Sequence, residues 1–236
     1  EWLDTYGTPL IPYICDTGKV LKDAQDADKS ILFEAQLGAL RDIDYGIYPF
    51  SSSSSPLAAY APIGGGLPSI KLNEVVGVVK AYSTCVGEGP FVGELSGETA
   101  TNLREAGGEY GAATGRPRRV AWMDAVATRH GIGLQGATTI ALTKMDVLSY
   151  LDEIPVCVGY RLGGEITEDF PFTPELNACE PVYEVLPGWK TDISSVRDFS
   201  ALPKAAQDYV LYLERKLGCP IRYVSVGAER EQIILR

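Results

Sequence analysis

The chain has 236 residues, 45% hydrophobic and 22% charged, which suits a folded protein with a sizeable core. Its 31 acidic residues outnumber 21 basic ones, giving a formal net charge of −10, which argues against nucleic acid and anionic membranes as partners. No apolar run approaches the roughly 20 residues that span a bilayer. One histidine and five scattered cysteines in no CxxC spacing argue against a zinc site and suit a reducing cytoplasm.

The first residues read as part of a helix. The sequence opens at Glu1 without a methionine, so a piece of a longer protein is expected, with no signal peptide. In "SILFEAQLG" the apolar run Ile31 to Phe33 predicts a buried strand ending in a loop. Residues 45–68 are rich in Ser, Gly, Pro and Ala, the composition of a linker. They also carry Tyr45, Tyr48, Phe50 and Tyr60, which favours an ordered loop.

Leu72, Val75, Val76 and Val79 repeat at helical spacing, with a strand predicted near Lys80 to Ser83. "WMDAVATRHGIGL" predicts a helix closed by Gly131 or Gly133. Thr138 to Leu142 predicts a strand running into a polar turn. The two alternating runs around Gly163-Gly164 predict a β-hairpin. Leu202, Ala206, Tyr209, Val210, Leu213 and Leu217 share one face of a helix that Gly218 and Pro220 end. "IRYVSVG" predicts a last strand delivering Ser225 to Ala228 to a sheet edge. The mixture predicts an α/β fold: a parallel-sheet portion, then a mixed α+β C-terminal part with an antiparallel hairpin.

Four places can carry chemistry. "GEYGAATGRPRR" sets three arginines, Arg116, Arg118 and Arg119, just after a stretch of small residues. Bare backbone N–H groups approach an anion without steric hindrance, and guanidinium forks match carboxylate or phosphate. The same loop reads equally as a solvated segment whose arginines pair with Glu105 and Glu109. "TKMD" at 143–146 places Lys144 and Asp146 directly after a strand. A carboxylate there accepts from N1–H and the 2-amino group of guanine together, a pair adenine lacks; a charged turn is the plainer reading. Glu34 and Gln36 at the predicted strand end either read a purine edge or satisfy loop backbone. His130 reads as a partner for the end of its helix and stays outside the site.

In order along the chain, "FEAQLGALRDIDYGIYPF", "KAYSTCVGEGPF", "GEYGAATGRPRR", "ALTKMDVLSYLDEIPVCVGY", "PVYEVLPGW" and "VSVGAER" resemble adenylosuccinate synthetases, read from the middle of that family's chain to near its C-terminus. The resemblance covers nearly the whole sequence. It implies a P-loop-GTPase-like fold, a homodimer, and a cytoplasmic ligase of purine biosynthesis that joins IMP and L-aspartate using GTP and Mg²⁺. It implies residues 1–82 as the end of the central nucleotide-binding sheet domain. Residues 83–236 then form a C-terminal α+β domain with the aspartate loop and guanine pocket.

By the same resemblance Ala112, Ala113, Thr114, Gly115, Arg116, Pro117 and Arg118 form a loop that closes over aspartate. Arg116 would bridge aspartate and the IMP ribose, and Arg118 would also reach the GTP side. Lys144, Met145 and Asp146 match the guanine-reading motif, and Ser225, Val226 and Gly227 the turn completing the base pocket. Ser52 stands where a threonine touches the IMP phosphate. Gln36 lies within one position of the glutamine that reads the purine; the ungapped register puts Leu37 there.

Departures from the family pattern are Ala113, Glu88, Gly93, Val226 and Ala228. The family's GDEGKGK loop, the aspartate acting as base, the histidine assisting phosphoryl transfer and the Mg²⁺ ligands match nothing in the sequence. The resemblance therefore implies a fragment, or one part of a split enzyme, inactive alone. Two other readings stand beside it: a paralogue aminating a 2-amino deoxy purine nucleotide, and a non-catalytic nucleotide-binding module.

Overall fold

Val76 to Lys80 folds as a strand, not as the helix that the spacing of Leu72, Val75, Val76 and Val79 suggests, so the strand expected near Lys80 begins earlier. β-Branched side chains lose χ1 freedom in a helix and pack well on a pleated surface, and here a partner strand is available. In the computed structural model, which describes residues 1–236, β1 (Val76–Lys80) pairs in parallel with β5 (Thr139–Thr143), which pairs in parallel with β9 (Ile221–Ser225). A final strand, β10 (Ile233–Leu235), lies antiparallel to β9. The sequence reading stopped at β9; β10 is the true edge, and three residues are too few for period-2 alternation to show. This sheet takes β1 from residues 1–82 and its other strands from 83–236.

Two further sheets follow. β2 (Ser83–Cys85) pairs with β3 (Arg119–Ala121). β6 (Glu153–Leu162) takes β4 (Met123–Asp124) in parallel, and β7 (Glu165–Thr167) and β8 (Glu180–Pro187) antiparallel. The β6–β7 turn at Gly163-Gly164 is the expected hairpin. The expected strand at Ile31 to Phe33 is absent. A strand needs a neighbour for its amides, and this stretch pairs with none; Leu32 is 92% exposed.

Helices α1 (Trp2–Gly7) and α2 (Thr17–Asp26) bury no residue. Residues 45–68 include the short α3 (Ala61–Gly65), but Tyr45, Tyr48 and Tyr60 stay exposed, so it is not burial of these aromatics that holds the segment. Buried Asp42 anchors them, accepting from the Asp44 and Tyr45 N–H groups, both at 2.9 Å, and from the Ser55 hydroxyl. Burial pushes its carboxyl up, but these donors outweigh burial and hold it below the ordinary value. Gln135 fixes the far side, accepting from the Ala58 N–H at 2.8 Å.

The next helix in the chain is α4 (Gly97–Gly107). α5 (Ala125–Gln135) runs through Gly131 and Gly133 and ends only at the left-handed Gly136. His130 is therefore mid-helix, stacked on Phe170 at 4.6 Å, and burial lowers its pKa. α6 (Thr173–Leu176) is a single turn. α7 (Lys204–Leu217) buries Ala206, Tyr209, Val210, Leu213 and Leu217, the face read from spacing, into the main core with Ile140, Leu142 and Val224.

Asp124 caps α5. Its carboxylate accepts the Ala127 N–H at 2.9 Å and the buried Tyr160 hydroxyl at 2.5 Å. Burial raises its pKa against those donors. Asp124→Ala removes a cap worth ~1 kcal/mol and leaves the Tyr160 hydroxyl unsatisfied at ~1–3 kcal/mol. A fall in unfolding stability of roughly 2–4 kcal/mol is expected from urea titration, with Asn, itself a good cap, costing less. Equal stability of the Ala variant and the parent would remove Asp124 from this role.

Candidate functional site

Ligands of open α/β sheets bind outside the carboxyl ends of parallel strands. Lys80 ends β1, Lys144 follows β5 and Ser225 ends β9, so the sheet brings three sequence-distant segments to one edge. The two predicted base-reading segments meet there: the Met145 N–H donates to the Ser225 carbonyl at 3.3 Å. Lys144 holds a left-handed φ of 65°, uncommon for a residue with a side chain, and its ammonium donates to the Gly107 carbonyl at 2.9 Å. Met145 is fully buried.

Asp146 opens the turn that follows. Its Oδ1 is buried with no hydrogen-bond partner in the protein. A buried carboxylate oxygen without a donor is costly, and a ligand presenting N–H groups there relieves the cost. On the adjacent turn the Ser225 hydroxyl donates to the Gly227 carbonyl at 2.8 Å. Val226 points into the core, so only its backbone faces the site; its N–H donates to Gln232 O at 2.9 Å. At Gly227 a Cβ would lie 2.2 Å from the Gln232 Oε1, so the Gln232 amide would have to move to admit one.

The loop from Gly111 to Arg116 is a tight hairpin. The Gly111 N–H donates to the Arg116 carbonyl at 2.8 Å, and the Gly115 N–H to the Gly111 carbonyl at 2.7 Å. The Arg116 N–H reaches the Thr114 Oγ1 at 3.4 Å. The N–H groups of Ala112, Ala113 and Thr114 have no acceptor within the protein, and all three residues are exposed, as are Gly115, Arg116 and Pro117. Consecutive backbone N–H groups left free on a loop are available to an anionic ligand.

The arginines part company. Arg118 donates through Nη1 to the Glu109 Oε2 at 2.7 Å, while its Nε is buried without a partner. Glu109 also takes Lys80 Nζ at 2.7 Å and the Tyr82 hydroxyl at 2.5 Å. Burial pushes the Glu109 carboxyl up, yet these three donors hold it below the ordinary value. Burial lowers the Lys80 pKa, reinforced by the charges of Arg118 and Lys144 and opposed by Glu109. Arg119 turns away from Glu109 to Glu94, with Nε 2.9 Å from both carboxylate oxygens, and lies 5.4 Å over Phe91. It lines a cleft of about 400 Å³ between Phe50 and residues 87–90. Glu105 takes the Tyr110 hydroxyl rather than an arginine.

Ser52 sits half-buried in the ordered loop, its hydroxyl donating to the Ser54 carbonyl at 3.1 Å and its N–H to the Arg41 carbonyl at 2.8 Å. Arg41 ties that loop to the segment after β2, donating to the carbonyls of Phe50, Val86 and Glu88. Gln36 is exposed and makes no side-chain hydrogen bond; the next residue, Leu37, has φ 82°. Sequence reasoning missed Lys80, Tyr82, Glu109 and Arg41 as a set. The available signal was the lysine closing a β-branched run; the pairing across 29 residues left no local mark.

Fold and site together define an α/β protein whose parallel-strand ends bring together the Lys144–Asp146 turn, with its buried, unpartnered carboxylate oxygen, and the Ser225–Gly227 turn. Residues 1–234 match the family model described as adenylosuccinate synthetase. The adenylosuccinate synthetase of Frankia casuarinae is 46% identical over the whole chain, which spans 55% of that relative. That of Trichlorobacter lovleyi is 50% identical over 227 residues, 96% of this chain and 53% of the relative. The fully ligated adenylosuccinate synthetase of Plasmodium falciparum superposes with a TM-score of 0.95 at 38% identity, covering 100% of this chain and 57% of that one. A cyanophage S-2L succinoaminodeoxyadenylate synthetase shares the fold, with a TM-score of 0.55 at 17% identity over 94% of this chain and 50% of that one. The chain belongs to the adenylosuccinate synthetase family. It spans about half the length of the relatives it matches.

Proposed function

We propose that this chain supplies the guanine-reading and aspartate-gripping part of a GTP-dependent ligase. The whole enzyme joins L-aspartate to IMP, giving adenylosuccinate, GDP and phosphate. The orphaned Asp146 oxygen beside the Ser225–Gly227 turn carries the reading: guanine offers N1–H and its 2-amino group as adjacent donors to such a carboxylate. The Lys144 stem covers the base, with Met145 seated beneath the turn.

Transfer of the GTP γ-phosphoryl group to O6 of IMP makes that oxygen a leaving group. The aspartate amine then forms the C–N bond as phosphate departs. In this reading the free amides of Ala112, Ala113 and Thr114 hold one aspartate carboxylate, and Arg116 and Arg118 reach the other and the neighbouring nucleotides. Ser52 faces the IMP phosphate and Gln36 the purine edge. The loss of a hydroxyl at Ala113 leaves the backbone donors in place.

The family uses GTP and Mg²⁺. This chain has no cluster of three or more His, Cys, Asp or Glu side chains that could hold a metal ion by themselves, and the Mg²⁺ ligands are assigned outside these residues. The proton acceptor and the phosphate-binding groups are likewise assigned outside these residues. No helix is long and apolar enough to cross a membrane. A cytoplasmic homodimer acting on small molecules, without nucleic-acid or membrane partners, completes the proposal.

The test is adenylosuccinate formation from GTP, IMP and aspartate. The full-length protein is expected to catalyse it and the 236-residue chain alone to give none, because phosphoryl transfer depends on positioned groups this chain does not supply. Turnover by the purified chain, or none by the full-length protein, contradicts the assignment.

A further inference from the structure

Glu109 is a carboxylate with 0% exposure in a region of positive charge. Its oxygens accept from Lys80, Tyr82 and Arg118, and its own carbonyl accepts the Arg118 N–H at 2.9 Å. Arg118 is thus fixed twice by one residue, through its backbone and through one guanidinium nitrogen. The Nη1 bond to Glu109 leaves the other edge of the fork without a protein partner. The anchor is closely packed. Gly107, two residues earlier, packs so closely that a Cβ would stand 2.3 Å from the Tyr82 hydroxyl, and its carbonyl holds Lys144.

A planar guanidinium whose plane is set beforehand grips a carboxylate bidentately at lower ordering cost than an unrestrained arginine, which must order several rotamers first. We propose that Glu109 is a positioning residue for aspartate capture: it clamps one nitrogen of Arg118 and aims the remaining edge at the substrate carboxylate. The proposal rests on the reading that Arg118 grips aspartate. A plain counter-charge role gives the opposite sign. Removing that charge would make Lys80, Arg118 and Lys144 more attractive to a dianionic substrate, whereas removing the clamp makes Arg118 a poorer ligand.

The experiment is steady-state kinetics on the full-length protein, with aspartate, IMP and GTP varied in turn, for Glu109→Gln, Arg118→Leu and the double variant. Glu109→Gln is expected to raise the aspartate KM by about tenfold, leave the IMP KM in place, and add nothing further once Arg118 is leucine. A lowered or unchanged aspartate KM in Glu109→Gln, or effects that add in the double variant, overturns the proposal. If Arg118→Leu alone leaves the aspartate KM unchanged, the underlying reading fails instead. Should Glu109→Gln not fold, Tyr82→Phe removes one donor from the clamp without stranding a charge. A rise in aspartate KM of roughly twofold or more at constant IMP KM is then expected, and no rise overturns the proposal.

Discussion

Replacing Arg118 with leucine in the full-length protein is expected to raise the aspartate KM by roughly ten- to a hundredfold, the equivalent of ~1.5–3 kcal/mol for a charge-assisted hydrogen bond. The IMP KM is expected to move much less, since its phosphate contacts lie elsewhere, Ser52 among them in the reading above. The fold survives because Glu109 keeps Lys80 and Tyr82 as donors. Arg119 is the control. It is one residue along, yet it is committed to Glu94 and to the Gly87 and Gly89 carbonyls at 3.2 and 2.8 Å. Equal rises in both KM values, or a larger effect from Arg119→Leu, would mean that the loop is not an aspartate clamp.

Asp146→Asn is expected to weaken GTP binding in the full-length protein by on the order of 1–3 kcal/mol and to erode the preference for GTP over ITP. The carboxylate offers acceptors alone, whereas an asparagine amide turns a donor toward the donors of guanine. Inosine lacks the 2-amino group and therefore loses less. The burial of Oδ1 strengthens the expectation, because water does not replace the missing partner there. Titration with both nucleotides checks it. Unchanged GTP affinity together with an unchanged GTP-over-ITP ratio would return Asp146 to the role of an ordinary turn residue.

Local pattern made parts of the architecture legible. The stripe on α7, the Gly163-Gly164 hairpin and the strand before Lys144 are written in short-range periodicity and turn chemistry, which the tertiary fold does not override. What failed was decided at a distance. Val75 to Val79 has helical spacing, but β5 supplies a ladder; Ile31 to Phe33 has strand composition, but nothing pairs with it. Gly131 looks like a helix stop but lies inside α5, which ends only at the left-handed Gly136. At the site, the Lys144–Asp146 and Ser225–Gly227 turns stood out as motifs because each is contiguous, and the sheet brings the two together. The cluster around Glu109 was legible only in part: an arginine–Glu109 pair was one reading of the loop, but Lys80 and Tyr82 lie in a distant stretch that only folding brings to it.

The hairpin of Gly111 to Arg116 has a consequence for the thermodynamics of capture. A loop that is loose until its ligand arrives surrenders backbone freedom at every binding event, at about 1–2 kcal/mol per residue fixed. Here the Gly111–Arg116 and Gly115–Gly111 hydrogen bonds already restrict the segment. Its conformational entropy is surrendered once, when the chain folds, and not again at each turnover. In the reading proposed above, the three free amides of Ala112, Ala113 and Thr114 then meet the substrate carboxylate in a hairpin whose shape is partly set beforehand.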